Sequence, residues 1–143
     1  MKPVMVLNGP NLGRLGAREP EVYGHVSHQE LEQTVVTWGR ELGFAVEVHQ
    51  SDAEPELIAL LHRAAEQGWP VIINPAAFSH YSYALRDAVA QVDLVVEVHL
   101  TNPACRETFR HHSVISGVVR GTIAGFGLDS YRLALQALSQ ILT

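Results

Sequence analysis

The sequence predicts one α/β domain over residues 1–143, in which helices cover both faces of a parallel sheet. Three observations lead to this fold class. The chain has the length of a single domain, 143 residues with 47% hydrophobic and 17% charged side chains. Short segments rich in valine and isoleucine alternate with segments of helical periodicity. The apolar segments are mostly continuous, as in strands that are buried on both faces.

Five short apolar segments are the predicted strands. They comprise residues 4–7, 45–49, 71–73, 94–100 and 118–124. Each is followed by turn residues or by a helix-start signal, which is typical of a parallel sheet with helical crossovers.

The helices between the strands have start and stop signals. Ser27 and Glu30 form a capping box before a helix whose apolar face is followed by Gly43. Its apolar residues, at one-face spacing, are Leu31, Val35, Trp38 and Leu42. A similar pattern from Ser51 to Glu54 predicts the next helix start, and Gly68 its end. Shorter helices are predicted over 81–90 and 104–111, and the last helix begins near residue 129.

Five strands alternating with five helices predict a doubly wound, three-layer sandwich. A flavodoxin-like, five-stranded parallel sheet of order 2-1-3-4-5 is the arrangement that we expect. In such sheets, ligands bind outside the carboxyl ends of the strands.

Composition excludes several classes of partner. The formal net charge is −5 and there is no basic run, so neither nucleic acid nor a membrane surface is an expected partner. The single Cys105 excludes an intrachain disulfide and a multi-cysteine metal site. The first apolar run is too short for a signal peptide, and a cytoplasmic location is therefore expected.

Polar side chains converge on the predicted carboxyl edge of the sheet. The residues that follow or end the strands there are Asn8, Asn11, Asn74, His80, Glu97, His99 and Thr101. Each alone is explained by turn chemistry, since asparagine before proline or glycine is common in turns. Their coincidence at one edge favours a functional site.

The connection over residues 9–26 is longer than the two to six residues usual in this fold. Its part from 13 to 26, here called the lid segment, contains Gly16, Arg18, Tyr23 and Gly24. Glycines at both ends suit a hinged lid that closes over substrate. The alternative is a mobile surface loop.

Nucleotide and metal signatures are absent from the sequence. Gly9, Gly13 and Gly16 do not have dinucleotide-fingerprint spacing, and no phosphate-loop motif exists. Glu97 and His99 share a strand face but lack a third ligand for zinc. We therefore expect no metal and no cofactor.

The remaining chemistry is acid–base catalysis. A tyrosine of pKa about 10 is a poor base at neutral pH. A nearby guanidinium, from Arg18 or Arg110, would lower that pKa by roughly 1–3. Such a base suits removal of a proton next to a ketone, while a histidine protonates a leaving hydroxyl.

The sequence resembles the type II 3-dehydroquinate dehydratases over essentially its whole length. The matching segments are residues 7–12, 18–24, 74–80, 97–102 and 106–110. The resemblance implies elimination of water from 3-dehydroquinate to 3-dehydroshikimate through an enolate, in the shikimate or quinate pathway. It also implies a homododecamer built from trimers.

The resemblance also implies roles for individual residues. Tyr23 would be the base, Arg18 its activating cation, and His80 the general acid oriented by Glu97. Asn11 would position a water at the enolate oxygen. Substrate-binding positions would be Asn74, His99, Leu100, Thr101 and Arg110, with Asp87 reaching a neighbouring subunit's site.

Small departures from the family pattern lie at Gly13–Arg14, Phe78 and Thr101. Lys2 is the only lysine, at the predicted end of strand one away from the site, so a lysine-imine route is implausible.

Two other functions stay open on the sequence alone. They are a non-catalytic module that binds a polyol acid or a partner protein, and a hydro-lyase acting on a different ketone.

Overall fold

The structure, a computed structural model, describes residues 1–17, 19–23 and 25–143, with Tyr23 described by its backbone alone. Its centre is a parallel sheet of order β2-β1-β3-β4-β5, as predicted. The strands are β1 (Lys2–Asn8), β2 (Phe44–Gln50), β3 (Val71–Asn74), β4 (Val95–His99) and β5 (Gly121–Ala124).

Strand β1 lies inside the sheet, and its alternating side chains enter two separate cores. Val4 and Val6 face one side, where they pack with helices α2 (His28–Glu41) and α5 (Asp129–Ile141). Met5 and Leu7 face the other side, against α3 (Glu54–Gln67) and α4 (Tyr83–Val89). All four side chains are fully buried, which explains the continuous apolar run in the sequence.

The helix limits follow the sequence signals in most places. The Ser27 hydroxyl accepts the N–H of Glu30 at 3.1 Å and caps α2. Gly68 ends α3 with a φ of 71°, a left-handed conformation that favours glycine. The predicted cap at Ser51 is wrong, because α3 begins at Glu54 with Ala53 as its N-cap. Ser51 instead donates to the Glu56 carboxylate at 2.5 Å.

Two other predictions of secondary structure need correction. Residues 104–111 do not form an α-helix but two short 3₁₀ turns, Pro103–Cys105 and Thr108–His111. The fifth strand starts at Gly121, since Ser116–Val118 is also a 3₁₀ turn. The long connection after β1 contains a 3₁₀ turn (Leu12–Arg14) and the one-turn helix α1 (Pro20–Tyr23).

In the part of the chain that the structure describes, no helix has the length and apolarity to cross a bilayer.

Candidate active site

The carboxyl ends of β1, β3 and β4 border an open cleft, the place where ligands bind in sheets of this kind. Its lining residues are Pro10, Asn11, Leu12, Asn74, Ala76, Ala77, His80, His99, Leu100, Thr101, Pro103, Arg106 and Arg110.

The structure brings most of the predicted site residues to this cleft. Those that line it are Asn11, Asn74, His80, His99, Leu100, Thr101 and Arg110. Glu97 lies behind His99 and is fully buried. Asp87 does not line this cleft; it lies on α4, exposed and paired with Arg86 at 2.9 Å. Arg18, Gly24 and the side chain of Tyr23 lie outside the described residues.

Two loops form the floor of the cleft through a close backbone contact. Gly9 donates its N–H to the carbonyl of Asn74 at 2.8 Å. A Cβ on Gly9 would lie 2.7 Å from the carbonyl oxygen of Pro75, so this position requires glycine. The contact fixes the loop after β1 against the loop after β3.

Asn11 has a left-handed backbone, with a φ of 70°, that asparagine tolerates better than most residues. Its N–H donates to the Asp52 carboxylate at 2.9 Å. Gln50 donates to the same carboxylate and to the carbonyl of Gly9, both at 3.1 Å. These contacts anchor the start of the long connection at the end of β2.

His80 is held by the carbonyl of His112, 2.7 Å from its Nδ1. Because a carbonyl can only accept, Nδ1 carries a hydrogen, and Nε2 of the neutral ring is an acceptor. Burial lowers the pKa of His80, against the effect of the His112 hydrogen bond, and the nearby Arg110 and His99 lower it further. This environment favours the neutral ring.

Glu97 forms the most buried ionic contact of the site. Its Oε2 lies 2.5 Å from Nε2 of His99. Its Oε1 accepts the hydroxyls of Ser116 at 2.7 Å and Thr122 at 3.3 Å. Burial opposes ionisation, but the hydrogen bonds from His99, Ser116 and Thr122 keep the pKa of Glu97 below its usual value. Glu97 is therefore a carboxylate at neutral pH.

This pairing corrects one expectation from the sequence. Glu97 was expected to orient His80, yet it contacts His99, while the carbonyl of His112 holds His80. The physical reason is strand geometry. Residues 97 and 99 lie on one face of β4, two positions apart, whereas His80 follows β3 in a 3₁₀ turn.

Two arginines add positive charge to the cleft. Arg110 contacts Glu107 at 3.1 Å and lies over the ring of Phe109, 4.6 Å from its centroid. Arg106 also lines the cleft and was not predicted as a site residue, although it lies in a segment that matches the family, residues 106–110. Its side chain is 15% exposed and lies 3.9 Å from Glu19 in the lid segment. Ser116 and Thr122 were also missed, because nothing in their sequence context indicates contact with Glu97.

Within residues 1–17, 19–23 and 25–143, no cluster of three histidine, cysteine, aspartate or glutamate side chains has an arrangement for metal binding. The cleft instead combines a carboxylate-paired histidine, a second histidine and two arginines. Side chains of these types, at the carboxyl edge of a parallel α/β sheet, can carry acid–base chemistry on a small anionic ligand.

The chain belongs to the dehydroquinase class II family, whose model matches residues 2–139. It is 56% identical over 137 residues to a 3-dehydroquinate dehydratase of Salinispora tropica, covering 95% of this chain and 96% of that protein. It is 50% identical over 141 residues to the 3-dehydroquinate dehydratase of Deinococcus radiodurans, covering 97% and 99%. A crystal structure of type II dehydroquinase from Propionibacterium acnes matches with a TM-score of 0.96 and 52% identity, covering 98% and 97% of the two chains.

Proposed function

We propose that the chain is a type II 3-dehydroquinate dehydratase, which converts 3-dehydroquinate to 3-dehydroshikimate and water in the shikimate or quinate pathway. The observation that carries this proposal is the Glu97–His99 pair in an arginine-lined cleft, in a chain that matches the family over residues 2–139. The chemistry needs a base, an acid and an anion-binding site, and the described part of the cleft supplies the last two.

The substrate is a cyclic ketone with one carboxylate and several hydroxyl groups. Arg110 and Arg106 supply the positive charge for its carboxylate, together with the backbone amides of Leu100 and Thr101. Asn74, His80 and the hydroxyl of Thr101 bind the ring hydroxyls. The neutral state of His80 suits this role, because its Nε2 accepts a hydrogen bond from a hydroxyl.

Tyr23 removes the proton at C2, next to the ketone, and Arg18 favours its phenolate form. The electron pair of the C–H bond moves into the enolate, whose oxygen is stabilised by a water held by Asn11. These three roles come from the family resemblance. The short helix α1, which ends at Tyr23, lies within the lid segment.

His99 is the general acid in this proposal, in place of His80. The enolate collapses to a C1–C2 double bond, the C1–oxygen bond breaks, and His99 gives its proton to the departing hydroxyl. The carboxylate of Glu97, 2.5 Å from Nε2 of His99, holds the imidazole in position for the transfer. His80 lacks such a carboxylate, and burial favours its neutral form.

A lysine imine has no part in this mechanism. Lys2, the only lysine of the sequence, begins β1 at the edge of the sheet opposite the cleft. Its Nζ donates to the carbonyl of Leu142 at 3.0 Å.

We also propose that the working enzyme is a cytoplasmic homododecamer in which Asp87 completes a neighbouring subunit's site. The exposed position of Asp87 on α4, away from the cleft of its own chain, suits a contact between subunits.

Ultraviolet absorbance on mixing the purified protein with 3-dehydroquinate tests the proposed reaction. The product is a conjugated enone and the substrate is not, so we expect absorbance to rise with time. The matched control is His99→Asn, which keeps a polar side chain but cannot act as an acid. Calorimetric binding of the substrate without any rise in absorbance would contradict the proposal and favour a non-catalytic binding module.

A further inference from the structure

A row of buried hydrogen bonds connects helix α2 with the floor of the cleft. Nδ2 of Asn74 donates to the hydroxyl of Tyr131 at 3.2 Å, and this hydroxyl donates to Oδ1 of Asn8 at 2.6 Å. Nδ2 of Asn8 then donates to Nε2 of His28 at 3.0 Å. Asn8 and Tyr131 are fully buried, and Asn74 is 3% exposed. Among these four residues, Asn74 lines the cleft.

The partners of Asn74 fix which way its amide group points. The N–H of Ala76 donates to Oδ1 of Asn74 at 3.1 Å, so the oxygen must lie on that side. The phenol of Tyr131 has a single hydrogen, which it gives to Asn8, and its oxygen is therefore an acceptor toward Asn74. One N–H of Nδ2 is used by Tyr131. The second N–H is the group that Asn74 can offer to a ligand.

The other end of the row fixes the orientation of Asn8. Its Oδ1 accepts from Tyr131, and its Nδ2 requires an acceptor, which is the unprotonated Nε2 of His28. Burial lowers the pKa of His28 and so favours the neutral ring, against the opposing effect of Glu32. Each group in the row therefore has one arrangement of donor and acceptor atoms that pairs with both of its neighbours.

Reversing the Asn74 amide would break two buried hydrogen bonds. An NH₂ group would face the N–H of Ala76, and a carbonyl oxygen would face a phenol oxygen whose hydrogen points to Asn8. Leaving buried polar groups unpaired is costly, so the row holds Asn74 in one state. Ala76, which makes the contact to Oδ1, has a φ of 51°, a backbone conformation that is uncommon for alanine.

We propose that Tyr131 is a positioning residue that, with Asn8 and His28 behind it, holds Asn74 as a hydrogen-bond donor to an oxygen of the bound substrate. This inference rests on the proposed function, since it requires the substrate to occupy the cleft. Tyr131 itself touches no ligand. Its whole effect on catalysis passes through Asn74, and this separates positioning from a merely structural role in the core.

The test is a double-mutant cycle on kcat/KM for 3-dehydroquinate, with Tyr131→Phe and Asn74→Ala. Tyr131→Phe keeps the buried ring and removes the hydroxyl. We expect it to lower kcat/KM by about tenfold in the wild-type background, mainly by raising KM. In the Asn74→Ala background we expect it to change kcat/KM by less than about twofold, because the residue it positions is gone. Tyr83→Phe removes an exposed hydroxyl away from the row and serves as the matched control.

The inference is overturned if Tyr131→Phe lowers kcat/KM equally in the wild-type and Asn74→Ala backgrounds, or lowers it in neither. If circular dichroism shows that the Tyr131→Phe variant does not fold, the same double-mutant cycle is measured with His28→Leu, at the half-buried end of the row. His28→Gln retains an acceptor for Asn8 and should restore kcat/KM. Absence of turnover by the wild-type chain would overturn the proposed function together with the inference. If the wild-type chain turns over substrate but the losses of kcat/KM in the two single variants add in the double variant, only the inference is overturned.

Discussion

The carboxylate of Glu97 is held from three sides, with Oε2 2.5 Å from Nε2 of His99 and Oε1 accepting hydroxyls from Ser116 and Thr122. A fully buried carboxylate with these partners has a fixed position and stays ionised. It fixes the imidazole of His99 at the cleft through this contact. The two histidines of the cleft therefore have different partners, since the carbonyl of His112 holds His80.

Replacing each histidine with asparagine should have different kinetic effects. His99→Asn removes the proton donor and should lower kcat by roughly 10²–10⁴. His80→Asn removes a hydroxyl-binding group and should mainly raise KM, with kcat falling by less than about tenfold. Steady-state absorbance assays on the two variants measure both constants. The reverse pattern would return the role of general acid to His80.

Tyr23→Phe should abolish turnover and leave substrate affinity nearly unchanged. The substitution removes the base but almost none of the side-chain area. Calorimetric titration with 3-dehydroquinate measures binding, and the absorbance assay measures turnover. Undiminished turnover would remove Tyr23 from the mechanism.

Subunit mixing tests the proposed role of Asp87 in a neighbouring site. Tyr23→Phe and Asp87→Ala should each be nearly inactive. Mixed oligomers, refolded together from equal amounts, should regain about a quarter of wild-type activity, because a site can take Tyr23 from one variant and Asp87 from the other. A mixture of Tyr23→Phe with His99→Asn is the control, since both residues belong to one subunit's site. No recovery in the first mixture would place Asp87 outside the neighbouring site.

His28 should make the folded state sensitive to acid. Burial holds its pKa below 6.5, so the unfolded chain binds the proton more readily than the folded chain. Stability from this group is present above about pH 6.5 and is lost as pH falls through the lower folded value. Urea unfolding at about pH 7.5 and about pH 5.5, at one protein concentration, should show a smaller loss for His28→Gln than for the wild type. An equal loss in both proteins would contradict the neutral state of His28.

The sequence predicts the strands and most of the cleft because these features depend on local patterns, and the sheet order follows from the fold class that the alternation of strands and helices indicates. The continuous apolar strands, the Ser27 cap and the polar residues at strand ends are all read directly from the chain. The failures occur where long-range contacts decide the conformation. Residues 104–111 have helical composition, yet they wrap the cleft in 3₁₀ turns, with Asn102 accepting the N–H of Ala104.

The sequence does not predict the partner of Glu97. Its spacing from His99 indicates a shared strand face, whereas the family resemblance implies His80 as the partner. The hydroxyls that contact Glu97 belong to Ser116 and Thr122, 19 and 25 residues further along the chain, and no periodicity encodes such contacts. The buried row from His28 to Asn74 likewise joins four separate elements through residues that read as ordinary turn, cap and core positions.

The central claim is dehydration of 3-dehydroquinate through an enolate and without an imine. The most direct measurement is the rate of enone absorbance before and after borohydride treatment of the protein in the presence of substrate. We predict product formation at the same rate in both samples, with no change in protein mass. Absence of the enone, or loss of activity together with a reduced substrate adduct on Lys2, would contradict this mechanism.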